Sequence, residues 1–148
     1  MKAGLPKTQK GAVAIEFALV FVIFFAVFYG LVSYSLPLLL MQSFNEATSE
    51  AVRRGVAVDP TTANYQTVLV NTANTALQQQ LSWMPAPLNL VIGVDTTTTY
   101  STTTGTLTVS VNYPTSKLNQ VIPFLVLPGV GTVPNLPTTL SATSSMQF

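Results

Sequence analysis

The chain has 148 residues, 48% of them hydrophobic and only 7% charged, with a formal net charge of +1. That length holds one membrane anchor and one small extramembrane domain, and no basic cluster is present that could follow a phosphate backbone, so nucleic-acid binding is not expected. Histidine and cysteine are both absent, which excludes disulfides and thiolate metal sites and removes most nucleophile–base arrangements; no metal, no cofactor and no enzymatic activity are expected.

The N-terminal segment carries Lys2, Lys7 and Lys10, then Gly11 and Ala12, then a long apolar run. From Phe17 to Val32 no charge occurs, and after Ser33, Tyr34 and Ser35 the apolar character resumes through Met41. Taken as one helix, Phe17 to Met41 would rise about 38 Å at about 1.5 Å per residue. Tilted, that crosses a hydrocarbon core of about 30 Å, so residues 12–41 read as a transmembrane helix. Pro37, in its last turns, is expected to bend it near the membrane exit.

A secretory signal peptide has a shorter apolar core closed by a small-residue cleavage site. Here the small residues precede the run, so a protease would cut on the lysine side and leave the helix on the mature chain. Cleavage after Gly11 removes residues 1–11 as a basic leader; three of the six basic residues go, leaving three against five acidic ones and a balance of −2. The same lysines set the orientation, because short loops rich in Lys and Arg stay cytoplasmic. Residues 42–148 are therefore expected outside the cytoplasm.

Glu16 lies inside the apolar segment. A carboxylate there costs roughly 2.5 to 3.5 kcal/mol at the membrane centre and less toward an interface, so it calls for a partner or for headgroup depth near the positive end of the helix dipole. Intramembrane acids are functional by default.

Beyond the anchor, residues 42–58 read as a continuing helix, with Glu46, Glu50, Arg53 and Arg54 at spacings that place acids N-terminal to bases on a solvated face. Asp59 followed by Pro60 signals a new helix over 60–83, with Asp59 as N-cap. Tyr65, Leu69, Ala73, Ala76, Leu77 and Leu81 form its apolar stripe, and Trp83 reads as a core or interface anchor. Pro85 and Pro87 end that helix and the period falls to two. Leu88, Leu90, Ile92 and Val94 predict a strand over 88–95, and Leu107, Val109, Val111 and Tyr113 another over 106–113, joined through the Thr-rich stretch Thr96 to Gly105. After Pro114 a loop or short helix is expected around Lys117 to Leu127, followed by an irregular Pro-rich stretch and a third strand over 140–148. The fold class is α+β: a long N-terminal transmembrane helix continuing into a soluble part, and a second amphipathic helix packed on a small antiparallel sheet of about three strands.

The pattern G-x-x-x-x-E followed by an aromatic, at Gly11, Glu16 and Phe17, resembles the processing site of type IV prepilins. The start Q-K-G-A-V-A-I-E-F-A-L-V, the segment V-S-V-N-Y-P followed by L-P-G, and the ending L-S-A-T-S-S-M resemble the TadE-like family of the tight-adherence (Tad, Flp) pilus systems, over roughly residues 10–60 and 105–148. That resemblance implies a minor pilin or pseudopilin of the bacterial inner membrane, single-pass, with its C-terminal domain periplasmic. It would be matured by a prepilin peptidase cutting between Gly11 and Ala12, with Glu16 and Phe17 completing the recognition motif. It further implies that Glu16 meets the α-amino group of a neighbouring subunit, that the partners are other pilins or pseudopilins in a hetero-oligomeric assembly, and that the pilus acts in adherence and biofilm formation. Major Flp pilins carry tyrosine after the glutamate and are far shorter, so Phe17 and the residues beyond Asp59 speak against the bulk filament subunit. Two alternatives stay open: a type II secretion pseudopilin, which shares the Gly–Glu junction, and an uncleaved signal-anchored, adhesin-like surface protein.

Overall fold

The computed structural model describes residues 8–127, 129 and 131–148, with side-chain surroundings from Gly11 onward. Helix α1 runs unbroken over Thr8–Val56, 49 residues, so it extends about 73 Å. Pro37 lies within it. Its environment changes along its length. Residues from Gly11 to Phe25 are exposed all round although nearly all are apolar, whereas from Ser33 onward Ser33, Pro37, Leu40, Phe44, Ala47, Thr48, Ala51, Val52 and Gly55 are buried. Their steps of three and four residues trace a single stripe on a 3.6-residue helix. The fully buried stripe thus begins at Ser33, inside the segment that hydropathy alone extends as membrane helix to Met41.

Helix α2 spans Tyr65–Gln80 and buries Leu69, Ala73, Ala76 and Leu77, the expected stripe, against α1. Its start differs from the expectation at Asp59–Pro60. The Asp59 carboxylate accepts the Thr61 N–H and hydroxyl, both at 2.8 Å, and closes a local turn of the kind Asp favours. Asn64 then takes left-handed backbone angles, φ 55°, and only after it does the chain turn helical. Trp83 is 45% exposed, which removes the core placement read from its type.

The predicted strand over 88–95 is not formed. A 3₁₀ turn occupies Ala86–Leu88, Asn89 is left-handed at φ 47°, and Gly93 has φ 87°. The Asp95 carboxylate accepts the Val91 N–H at 2.7 Å, the Thr96 hydroxyl accepts the Gly93 N–H at 2.9 Å, and Val94 is left 77% exposed. The alternation that imitates a strand is a series of turns tucking in Leu88 and, in part, Leu90 and Ile92. The first strand, β1, is Thr96–Ser101, in the Thr-rich stretch read as a connector; threonine is β-branched and suits a strand whose outer face meets water.

Strand β2, Thr106–Pro114, matches the prediction over 106–113. The four-residue helix α3, Thr115–Leu118, follows, then a short hairpin of β3, Leu125–Leu127, and β4, Gly131–Val133, which the expected loop did not contain. Strand β5, Thr139–Gln147, is the expected C-terminal strand. The order is β1-β2-β5, antiparallel throughout, with Val109 opposite both Thr98 and Ser144 and Tyr113 opposite Leu140. The architecture is α+β, as the sequence implies.

Leu107, Val109, Val111 and Tyr113 of β2, with Leu140 and Ala142 of β5, point into the helices, and the alternate face of Thr97, Thr99, Ser110, Asn112, Ser141, Thr143 and Ser145 is polar. An antiparallel sheet covered on one side only has this pattern. Helix α1 lies over β5 and β2, and α2 lies over β1. Phe44 of α1 meets Tyr113 of β2 with ring centroids 5.8 Å apart, and the Tyr113 hydroxyl donates to the Leu88 carbonyl at 2.7 Å. The Thr48 and Ser144 hydroxyls, 3.0 Å apart, join helix to sheet on the same face.

Candidate membrane anchor and processing junction

Gly11, Ala12, Glu16 and Phe17 all lie on α1 and are all exposed. A Cβ built on Gly11 would meet nothing within 4 Å, so the junction is sterically open. Ala12 and Glu16 are four apart and share a helix face, and Glu16 lies about 7.5 Å along the axis from Gly11. Around Glu16 the exposed side chains are apolar: Val13, Ile15, Leu19 and Val20. No salt bridge to Glu16 occurs among the described residues. Lys2 and Lys7 lie outside the described residues, as does the side chain of Lys10.

Phe17 begins a ladder of aromatic rings at four-residue spacing, Phe17, Phe21, Phe25 and Tyr29, with successive centroids 6.1, 6.3 and 6.1 Å apart; Phe24 and Phe28 form a parallel pair at 6.1 Å. Side chains at i and i+4 meet on a helix, so this ladder stiffens one edge of the exposed stretch. Among the described residues, α1 is the one helix long and apolar enough to cross a membrane, and none of its most apolar window is buried by the rest of the protein. The segment from Ala12 to Val32 rises about 32 Å, the thickness of a hydrocarbon core.

The extramembrane domain holds a polar network that sequence reading missed. Asp95, 4% exposed, receives the Lys117 ammonium at 2.8 and 2.6 Å, and the same ammonium donates to the Asn89 carbonyl at 2.9 Å and lies 5.9 Å from the Tyr113 ring centroid. Burial, and secondarily the negative charge of Asp95, pushes the Tyr113 hydroxyl above its ordinary pKa. This pair fastens α3 to the turns before β1. A signal was available: beyond Asp59, Asp95 and Lys117 are the only charged residues, of opposite sign, in an otherwise neutral stretch. Glu50, by contrast, forms the expected helix-face pairs, with Arg53 and Arg54 each at 2.7 Å. Hydrogen bonds from Arg53 and then Arg54 pull its carboxyl down to about 2. Among the described residues no group of His, Cys, Asp or Glu is arranged to hold a metal.

Among the described residues, one exposed apolar helix of membrane-spanning length with a small helix-on-sheet domain gripping its far half defines an α+β protein with a candidate single membrane anchor. Residues 11–53 match the family model described as TadE-like protein. The match covers the exposed stretch of α1 and most of its buried stripe, and ends at Arg53; the resemblance read over 105–148 falls outside it. No curated protein and no solved structure matches the chain.

Proposed function

We propose that this chain is a minor pilin or pseudopilin serving assembly of a tight-adherence pilus, and through it adherence and biofilm formation. The observation that carries the reading is the division of α1: a largely exposed apolar segment of membrane length holding Glu16 as its one charge, joined without a break to a segment that carries the domain. A prepilin peptidase removes residues 1–11, cutting between Gly11 and Ala12 and recognising Glu16 and Phe17, while Lys2, Lys7 and Lys10 hold the leader in the cytoplasm. The mature helix sits in the inner membrane with the domain in the periplasm.

Once cut, Ala12 presents a new α-amino group. In a bundle of such helices that cation and the Glu16 carboxylate of an adjacent subunit attract in a low dielectric, which offsets the cost of burying the acid and selects one axial register. The role is structural rather than catalytic, and the partners are other pilins or pseudopilins of the same machinery. The test is mass spectrometry of the native N-terminus with co-purification of the partner pilins. A mature chain starting at Ala12, with pairing lost in Glu16→Gln and Glu16→Leu, is expected; a chain starting at Met1, or pairing unchanged in both variants, overturns the reading.

A further inference from the structure

Two loops of the domain are tied to α1 at the end of its exposed apolar stretch. The Tyr29 hydroxyl donates to the Pro123 carbonyl just before β3, and the Asn135 N–H donates to the Tyr34 hydroxyl at 2.8 Å just after β4. The β3–β4 hairpin therefore lies beside the last turns of the apolar segment rather than beyond them. Val126 of β3 is 75% exposed, Val121 is exposed as well, and Phe124, Leu125 and Leu127 are only half-buried. No charged side chain occurs from Leu118 to Phe148.

Along the helix, Tyr29 is about 26 Å from Ala12, which puts it in the last few ångströms of a hydrocarbon core of about 30 Å that starts at Ala12. Tyrosine is enriched at that level, where its ring meets acyl chains and its hydroxyl meets polar groups. Exposed apolar side chains of hairpin and helix thus lie side by side, joined at Tyr29, and on the anchor reading those of the helix sit within the membrane.

We infer that the β3–β4 hairpin is a second membrane contact, entering the headgroup–acyl boundary of the outer face with Val126 as a leading side chain and lipid acyl chains as its partner. The inference rests on the reading of α1 as a membrane anchor. Pairing of Leu125 with Val133 and Leu127 with Gly131 satisfies the inner edges of the hairpin, while its outer backbone groups still require water or headgroups, which sets the depth at the boundary and not in the hydrocarbon. With two attachments the domain is held at one tilt to the membrane instead of swinging on a single helix.

Because the chain contains no cysteine, single thiols can be placed at will. The full chain carrying Val22→Cys, Val126→Cys or Thr99→Cys, each an exposed position, is spin-labelled and reconstituted in vesicles of phosphatidylethanolamine and phosphatidylglycerol. Collision with oxygen and with a water-soluble nickel chelate then reports depth. The expected result is a label at 126 that the nickel reagent reaches several-fold less than the label at 99 while oxygen reaches it freely, with the label at 22 deeper still. A label at 22 in lipid with the label at 126 in water overturns this inference and leaves the anchor intact. A label at 126 shielded from both reagents replaces lipid with a protein partner and also overturns it. A label at 22 in water overturns the anchor reading and, with it, the inference.

Discussion

Gly55 sits in the last turn of α1 where helix, helix and sheet converge, and a single methyl there should be felt. A Cβ built on it would lie 2.5 Å from Cδ2 of Leu107 and 3.4 Å from the Ala73 methyl. Carbon atoms pack best at about 3.5 to 4.0 Å, so the Leu107 methyl would have to retreat by about 1 Å. Leu107 and Ala73 are fully buried, and neither has solvent to retreat into. Overpacking of this kind costs about 1–3 kcal/mol, against a gain of up to about 1 kcal/mol for replacing glycine by alanine in a helix, smaller here because the helix ends one residue later. The expected outcome for Gly55→Ala is a net loss of about 1 kcal/mol, and for Gly55→Val about 2 kcal/mol or more, since two further methyls enter the same space. Urea unfolding of the full chain in detergent, followed by near-ultraviolet circular dichroism, measures it. A second arm uses Leu107→Ala, which alone leaves a cavity costing about 2–5 kcal/mol; combined with Gly55→Ala it should cost clearly less than the sum, because the new methyl occupies vacated space. Gly55→Ala as stable as the parent, or strict additivity in the double variant, would refute the reasoning.

Lys117→Met leaves the buried Asp95 carboxylate without its ammonium and should cost about 3 kcal/mol, the low end for breaking a buried pair because Lys117 is partly exposed. Adding Asp95→Asn should recover a good part of that loss in the same unfolding assay, and a cost below about 1 kcal/mol for Lys117→Met would show that the pair does not fasten α3. The Glu50 carboxyl, held at about 2 against an ordinary 4.5, titrates below its unfolded value. Its contribution to stability is therefore full above about pH 4.5 and disappears as pH falls toward 2. Acid titration of thermal stability should show a shallower decline over that window in Glu50→Gln, and parallel curves for the two proteins would contradict the assignment.

Local chemistry made much of this protein legible from its sequence. The apolar anchor helix, the stripe of α2 and strands β2 and β5 follow from apolar periodicity, which acts over one or two turns and needs no knowledge of what lies across the core. The alternation from Leu88 to Val94 misled because period two marks which side chains turn inward, and a chain of turns held by Asp95 and Thr96 can satisfy that as well as a strand. Asp59 misled similarly: its carboxylate found Thr61 before it found a helix. Only the tertiary structure decided where the domain takes hold of α1, first at Tyr29 and with a buried stripe from Ser33, not beyond Met41, since Leu36 to Leu40 are equally apolar whether they face lipid or Leu140. Contact across the fold also placed Lys117 on Asp95, set Gly55 against Leu107 and drew the β3–β4 hairpin to Tyr29. These depend on pairs far apart in the chain, and a neighbour's identity is not written in a residue's own surroundings.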